Sequence, residues 1–173
     1  MNRWGPGYSQ AELDDAQGVF GLRFPPDLIE LLKRGRLPNG HDWTSERAQI
    51  KRMLGWPLEG LLFDVEHNVL WLREWGERPA TAEERAEVVG RAVAAAPKLI
   101  PLFGHRFMPE EPHESGNPVF SVYQSDIIYY GSDLANYIAN EFSMPHHYGL
   151  IGTPKYIRFW SDFTGMHDDE APR

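Results

Sequence analysis

The chain has 173 residues, no cysteine, and a net charge of −8 from 25 acidic and 17 basic residues. That length suits one domain with a substantial core, and 42% hydrophobic with 13% aromatic residues is globular rather than disordered composition. The missing cysteine excludes a disulfide framework, thiolate catalysis and thiolate zinc sites. Six Trp, nine Phe and seven Tyr exceed the ring area a core needs, so some rings are expected at the surface.

Charge is unevenly spread. Residues 1–108 carry 15 acids and 14 bases, whereas residues 109–173 carry 10 acids and 3 bases. No Lys or Arg occurs from Phe107 to Pro154, a stretch that holds Glu110, Glu111, Glu114, Asp126, Asp133, Glu141 and five of the seven tyrosines. A surface built from it would repel phosphate, so a nucleic-acid ligand is not expected and a basic protein partner is. Met1 to Gly7 lacks the apolar region of a signal peptide, and no run of roughly 18 apolar residues suggests a membrane helix. A cytoplasmic protein is the expectation.

In chain order, Ser9-x-x-Glu12 has the form of a capping box and predicts a helix from about Gln10 to Phe20, stopped by Gly21. Pro25-Pro26 opens a second helix with Leu28, Leu31 and Leu32 inward, ended by Gly35. Thr44 or Ser45 is expected to cap a third, shorter helix through about Leu54, with Ile50, Met53 and Leu54 buried. After Gly55-Trp56-Pro57 the pattern suggests a hairpin, with strands Gly60–Val65 and Val69–Leu72 around a turn at Glu66-His67-Asn68. Thr81 caps a helix to Ala96 whose small residues (Ala82, Ala86, Val89, Val93, Ala96) suggest close packing on a sheet.

Leu99 to Phe103 reads as a strand and Pro109 to Gly116 as an acidic, proline-rich loop. Val119–Tyr123 and Asp126–Tyr130 are the clearest strands, joined by a tight turn at Gln124-Ser125. Ser132 is expected to cap a helix to Phe142 with Leu134, Tyr137 and Ile138 buried. Lys155 to Trp160 suits an edge strand or a docking segment, and His167 to Arg173 a frayed end. Hairpins without regular strand–helix alternation predict an α+β domain, a mostly antiparallel sheet with helices packed on it.

The segment Gly21-Leu22-Arg23-Phe24-Pro25-Pro26-Asp27-Leu28-Ile29-Glu30-Leu31-Leu32 is similar to the helical opening of SUKH domains. Gly60 to Asn68 with Trp71 resembles the strand hairpin that follows in one bacterial branch. Gly116 to Gly131, followed by Asp133-Leu134, resembles that branch's most recognisable segment. The resemblance covers residues 19–142, leaving an N-terminal helix and a C-terminal extension at 143–173. It implies a protein-binding module: bacterial members act mostly as immunity proteins that neutralise toxin domains, many of them nucleases, and fungal relatives as cell-wall signalling regulators.

Two chemical alternatives compete with binding. As a strand, Asp64-x-Glu66 would project both carboxylates to one face, as an acid/base or metal-binding pair requires, with His67 and His105 nearby candidates for a metal-dependent hydrolase. Turn chemistry explains the same residues, since Asn68 suits a turn and Glu66 and His67 would be solvated at its tip. His105 and His113 with Glu110 or Glu114 lack the i, i+4 spacing that presents two imidazoles to one ion, and His146-His147 are adjacent, which turns the rings apart. Ser121 and Ser125 lack a nucleophile elbow and Gly5-Pro6-Gly7 lacks the context of a phosphate loop. No catalytic residue, metal or cofactor is assigned.

Of the tryptophans, Trp56 beside Pro57 reads as buried, and one of Trp71 and Trp75 as exposed in its polar setting. Exposed aromatic rings among acids are typical interface anchors. The expected partner-binding face is Asp64, Glu66, Trp71, Tyr123, Asp126 and Tyr130, docking on a basic cleft of a toxin domain. An endogenous partner in a regulatory or scaffold role uses the same features.

Overall fold

The structure, a computed structural model, describes residues 3–143 and 149–165. Four helices precede the sheet: α1 (Gln10–Phe20), α2 (Pro26–Arg34), α3 (Arg47–His67) and α4 (Ala82–Ala95). The strands β1 (Leu99–Phe103), β2 (Arg106–Pro109), β3 (Val119–Tyr123) and β4 (Asp126–Gly131) follow, and then α5 (Leu134–Phe142). The sheet is an antiparallel meander in the order β1-β2-β3-β4, so the domain is α+β.

Local chemistry explains most boundaries. The capping box of α1 is formed, with Glu12 N–H donating to Ser9 Oγ and Ser9 N–H to Glu12 Oε2, and Gly21 closes the helix at φ 62°. Pro26 sits in the first turn of α2, where a missing N–H costs nothing. Thr81 Oγ1 accepts from Glu84 N–H to start α4. For α5 the cap is Asp133, whose Oδ1 accepts from Asn136 N–H at 2.7 Å, and not the Ser132 expected from sequence.

The sheet divides the apolar interior in two. Ile100, Leu102, Met108 and Val119 pack on one side with α1, α2 and α5. Leu99, Phe107, Phe120, Val122 and Ile127 pack on the other with the later turns of α3, Val89 of α4, and Ile157, Trp160 and Phe163. The segment after Lys155 is thus a docking segment ending in a 3-10 turn (Trp160–Phe163) and not an edge strand. His146, His147 and residues 167–173 lie outside the described residues.

One sequence expectation fails outright. The third helix does not end near Leu54 but runs to His67 through Gly55, Pro57 and Gly60, with Glu46 at its N-cap and Thr44 bonded to Asp42 instead. No hairpin forms over Gly60–Leu72; that stretch is the C-terminal half of α3, then loop and a 3-10 turn at Arg73–Trp75. The buried positions Met53, Pro57, Leu61, Asp64 and Val65 follow helical spacing, because this face lies against the sheet and α4. Accordingly α4 packs chiefly on α3, with Val89 and Ala96 buried and Ala82 exposed. Strand β2, missed in the sequence, is short and begins with a charged residue. Among the described residues, no helix is long and apolar enough to cross a membrane.

Candidate functional site

The β3–β4 hairpin has a two-residue loop, with Tyr123 opposite Asp126 and Gln124 at φ 57°. Its tip is held on α3 by Asp64. This carboxylate is 3% exposed and accepts from Ser125 N–H at 2.8 Å, from Ser125 Oγ, and from the Asn68 side-chain amide. Gly60 makes the approach possible, since a Cβ there would lie 2.9 Å from Gln124 Cα. The last turn of α3 and the hairpin tip enclose an open cleft lined by Asp64, Asn68, Leu70, Tyr123, Gln124 and Asp126. Val69, between the lining residues Asn68 and Leu70 in the chain, is 81% exposed at φ 59°. A β-branched residue in the left-handed region is strained, and such strain concentrates at functional sites.

From the cleft a surface extends across one sheet face. Ser121 pairs with both Arg106 and Ile128 across neighbouring strands, and Tyr123 with Asp126, so these side chains share a face. Tyr123 is 53% and Ile128 48% exposed, in a sheet whose other apolar residues are mostly buried. The Tyr123 ring is flanked by Trp56 at 6.0 Å and His105 at 6.2 Å between ring centroids. Trp56, expected to be buried, is half-buried, with its Nε1–H donating to Val122 O at 2.9 Å.

Beside these rings lies a polar network. The Arg106 guanidinium donates to Glu141 Oε2 at 3.0 Å and Ser121 Oγ at 3.0 Å, and stacks 3.7 Å above the Tyr130 ring. It also lies 2.6 Å from His105 Nε2. An arginine is always a donor, so His105 accepts and is neutral. Burial and the Arg106 charge hold its pKa below the usual histidine value, opposed in part by Glu141 and Asp126.

Of the six residues expected to bind a partner, the structure brings Tyr123, Asp126 and Tyr130 to this one surface. Asp64 contributes a cleft wall and a structural anchor. The common strand face expected for Asp64 and Glu66 does not exist: on a helix, residues two apart point in nearly opposite directions. Glu66 instead pairs with Arg85 of α4 at 2.6 Å. Trp71 packs edge-on against Trp75 at 5.3 Å, its Nε1–H donating to Gly76 O, and both rings are half-buried rather than one exposed.

Most acids of the acid-rich stretch have a partner in three dimensions, three of the six a basic one. Glu141 pairs with Arg106, Glu114 with Lys155 and Glu111 with Arg158, while Glu110 is buried and accepts from Arg23 N–H at 2.9 Å. Asp133 caps α5, which leaves Asp126 as the stretch's exposed acid on the hairpin surface. The residues weighed for a hydrolase do not converge. His67 packs on Phe63 at the end of α3, and among the described residues no three His, Asp or Glu side chains gather where they could hold a metal ion.

The sequence reading missed Ile128 and Arg106. Ile128 was accessible by parity, since it alternates between Asp126 and Tyr130 in the clearest strand. Arg106 was not, because β2 itself was unread. No protein-family model, no curated protein and no solved structure matches the chain.

Proposed function

We infer that the chain is a protein-binding module of the SUKH type that docks a partner on the hairpin surface around Tyr123, Asp126, Ile128 and Tyr130. The observation that carries this reading is the exposure of Tyr123 and Ile128 on one face of a hairpin locked to α3 through Asp64. Both are about half exposed, so covering what remains is worth on the order of 1 kcal/mol for each. A hairpin already held in place loses little further freedom on binding, so more of that gain survives as affinity. Asp126 and the carbonyl end of α3 give the neighbouring cleft a negative character that suits a Lys or Arg of a basic partner.

Two of the segments that resemble SUKH domains, 21–32 and 116–131, form a turn with α2 and the β3–β4 region. The third, 60–68, is helical and gives the resemblance no support. The role that fits this surface is an immunity protein that occludes the basic cleft of a toxin domain such as a nuclease.

The test is an affinity capture from native cells at low and high salt, run with the wild type and a Tyr123→Ala/Ile128→Ala variant. A stoichiometric, salt-sensitive partner with a basic toxin module, lost with the variant and detoxified by co-expression of the wild type, is expected. For that purified pair, Asp126→Lys is expected to weaken binding and flatten its salt dependence. Undiminished affinity of the double variant would place the docking face elsewhere. A housekeeping partner whose activity the chain alters would replace immunity with regulation.

A further inference from the structure

A second, chemically different site lies at the seam between the two apolar cores. Phe20 at the end of α1, Leu22 just after it, Leu54 and Pro57 from α3, Val93 from α4, and Trp160 line a partly open cavity of about 320 Å³. That volume falls at the lower end of ligand sites, which span roughly 300–1,000 Å³. The seam stays open because its walls belong to different packing units. Phe20, Leu22 and Leu54 pack with the first core, and Val93 and Trp160 with the second. The indole N–H of Trp160 is already satisfied by Pro97 O at 2.7 Å, so the ring presents the cavity with an apolar surface.

A single charged residue, Lys98, lines this cavity, and no carboxylate does. Its ammonium donates to Gly21 O at 2.6 Å, the carbonyl of the residue that closes α1. Among the described residues Lys98 has no acidic partner, and an ammonium has three donors. An apolar cavity with an unneutralised cation in its wall matches a small molecule of opposite design, with an apolar body and one anionic head.

The geometry points to a binding site for a small amphipathic monocarboxylate, with its hydrocarbon in the seam and its carboxylate on Lys98. Nothing in this assignment depends on the hairpin surface, and the two stand or fall separately. The class has two sources, an aliphatic acid of medium chain length and an arylalkyl acid. The narrow seam beside Trp160 accepts either.

The experiment is an amide-resolved NMR titration of the full chain with octanoate and with 4-phenylbutanoate, using octanol and octylammonium as uncharged and cationic counterparts. Saturable shifts confined to amides around Leu22, Leu54 and Lys98 are expected, with a dissociation constant on the order of 0.1 mM for the better acid. Which acid saturates first identifies the source. Lys98→Met is expected to weaken binding about tenfold or more, the scale of one lost charge-assisted contact, while Lys98→Arg retains it. Val93→Phe, which fills the cavity from its rim, is expected to abolish binding with the melting profile preserved. Three outcomes would each overturn the site: octanol or octylammonium binding there as tightly as octanoate, an unchanged Lys98→Met affinity, or no saturable shift at millimolar acid.

Discussion

His41 is half-buried, and its Nε2 has no hydrogen-bond partner among the described residues. Burial depresses its pKa below the usual 6.5, with only Glu46 opposing. His105 is depressed by burial and by Arg106, against Glu141 and Asp126. Both histidines are therefore harder to protonate in the folded chain than once it unfolds. Because the folded values are lowered, their contribution to stability is complete above about pH 6.5. It declines as pH falls from there through the folded values, where the unfolded state takes up more protons. Urea midpoints measured from pH 8 to pH 5.5 are expected to fall, and to fall less in a His41→Gln/His105→Gln variant. Equal slopes for the two proteins would mean that neither imidazole carries the effect.

Helix α3 is where element and sequence diverge most. Pro57 lacks the N–H that would bond the Met53 carbonyl, and Gly55 and Gly60 are poor helix formers, so a break after Leu54 was the natural reading. The run Leu61-Leu62-Phe63 has no period of its own and suits a strand or a buried helix equally. Packing decides between them, because only a helix buries Leu61 and Val65 together with Asp64 between sheet and α4. That choice also moved Asp64 from an imagined exposed face to the anchor beneath the hairpin. Elements with strong local punctuation were legible, namely α1 with its capping box, α2 with its prolines, α4 behind Thr81, and the β3–β4 pair. Gly60 shows why a residue that weakens the helix is present. Alanine gains about 1 kcal/mol of helix propensity, but its Cβ would meet the Gln124 backbone at 2.9 Å, an overlap of the kind that costs about 1–3 kcal/mol. Gly60→Ala is expected to destabilise the chain on balance, read as a lower urea midpoint with an unchanged slope. A stabilised variant would show that the hairpin is not seated on α3.

Across the whole molecule, linear charge was a poor guide to surface charge, because bases from outside the acid-rich stretch fold back onto it. Lys155 and Arg158 reach Glu114 and Glu111 from the C-terminal side and Arg106 reaches Glu141 from β2, so three of the six acids in the base-free stretch from Phe107 to Pro154 stand in ion pairs. The same C-terminal segment completes the interior. Ile157, Trp160 and Phe163 are buried against Phe120, Val122 and Ile127 on the sheet face opposite α1, α2 and α5. Since one sheet walls both cores, loss of either exposes strands that the other needs, and the two sides should unfold together. Truncating a fully buried aromatic costs about 3–5 kcal/mol, a large part of a typical total of roughly 5–15 kcal/mol. Trp160→Ala, with its ring 2% exposed and its N–H bonded to Pro97, is therefore expected to lower Tm by on the order of 10 °C. The shift should be the same by far-ultraviolet circular dichroism as by the fluorescence of the remaining tryptophans, since both report a single transition. If the fluorescence transition moved while the helical signal held at its original temperature, the C-terminal segment would be an independent flap on the sheet and not the closing wall of its second core.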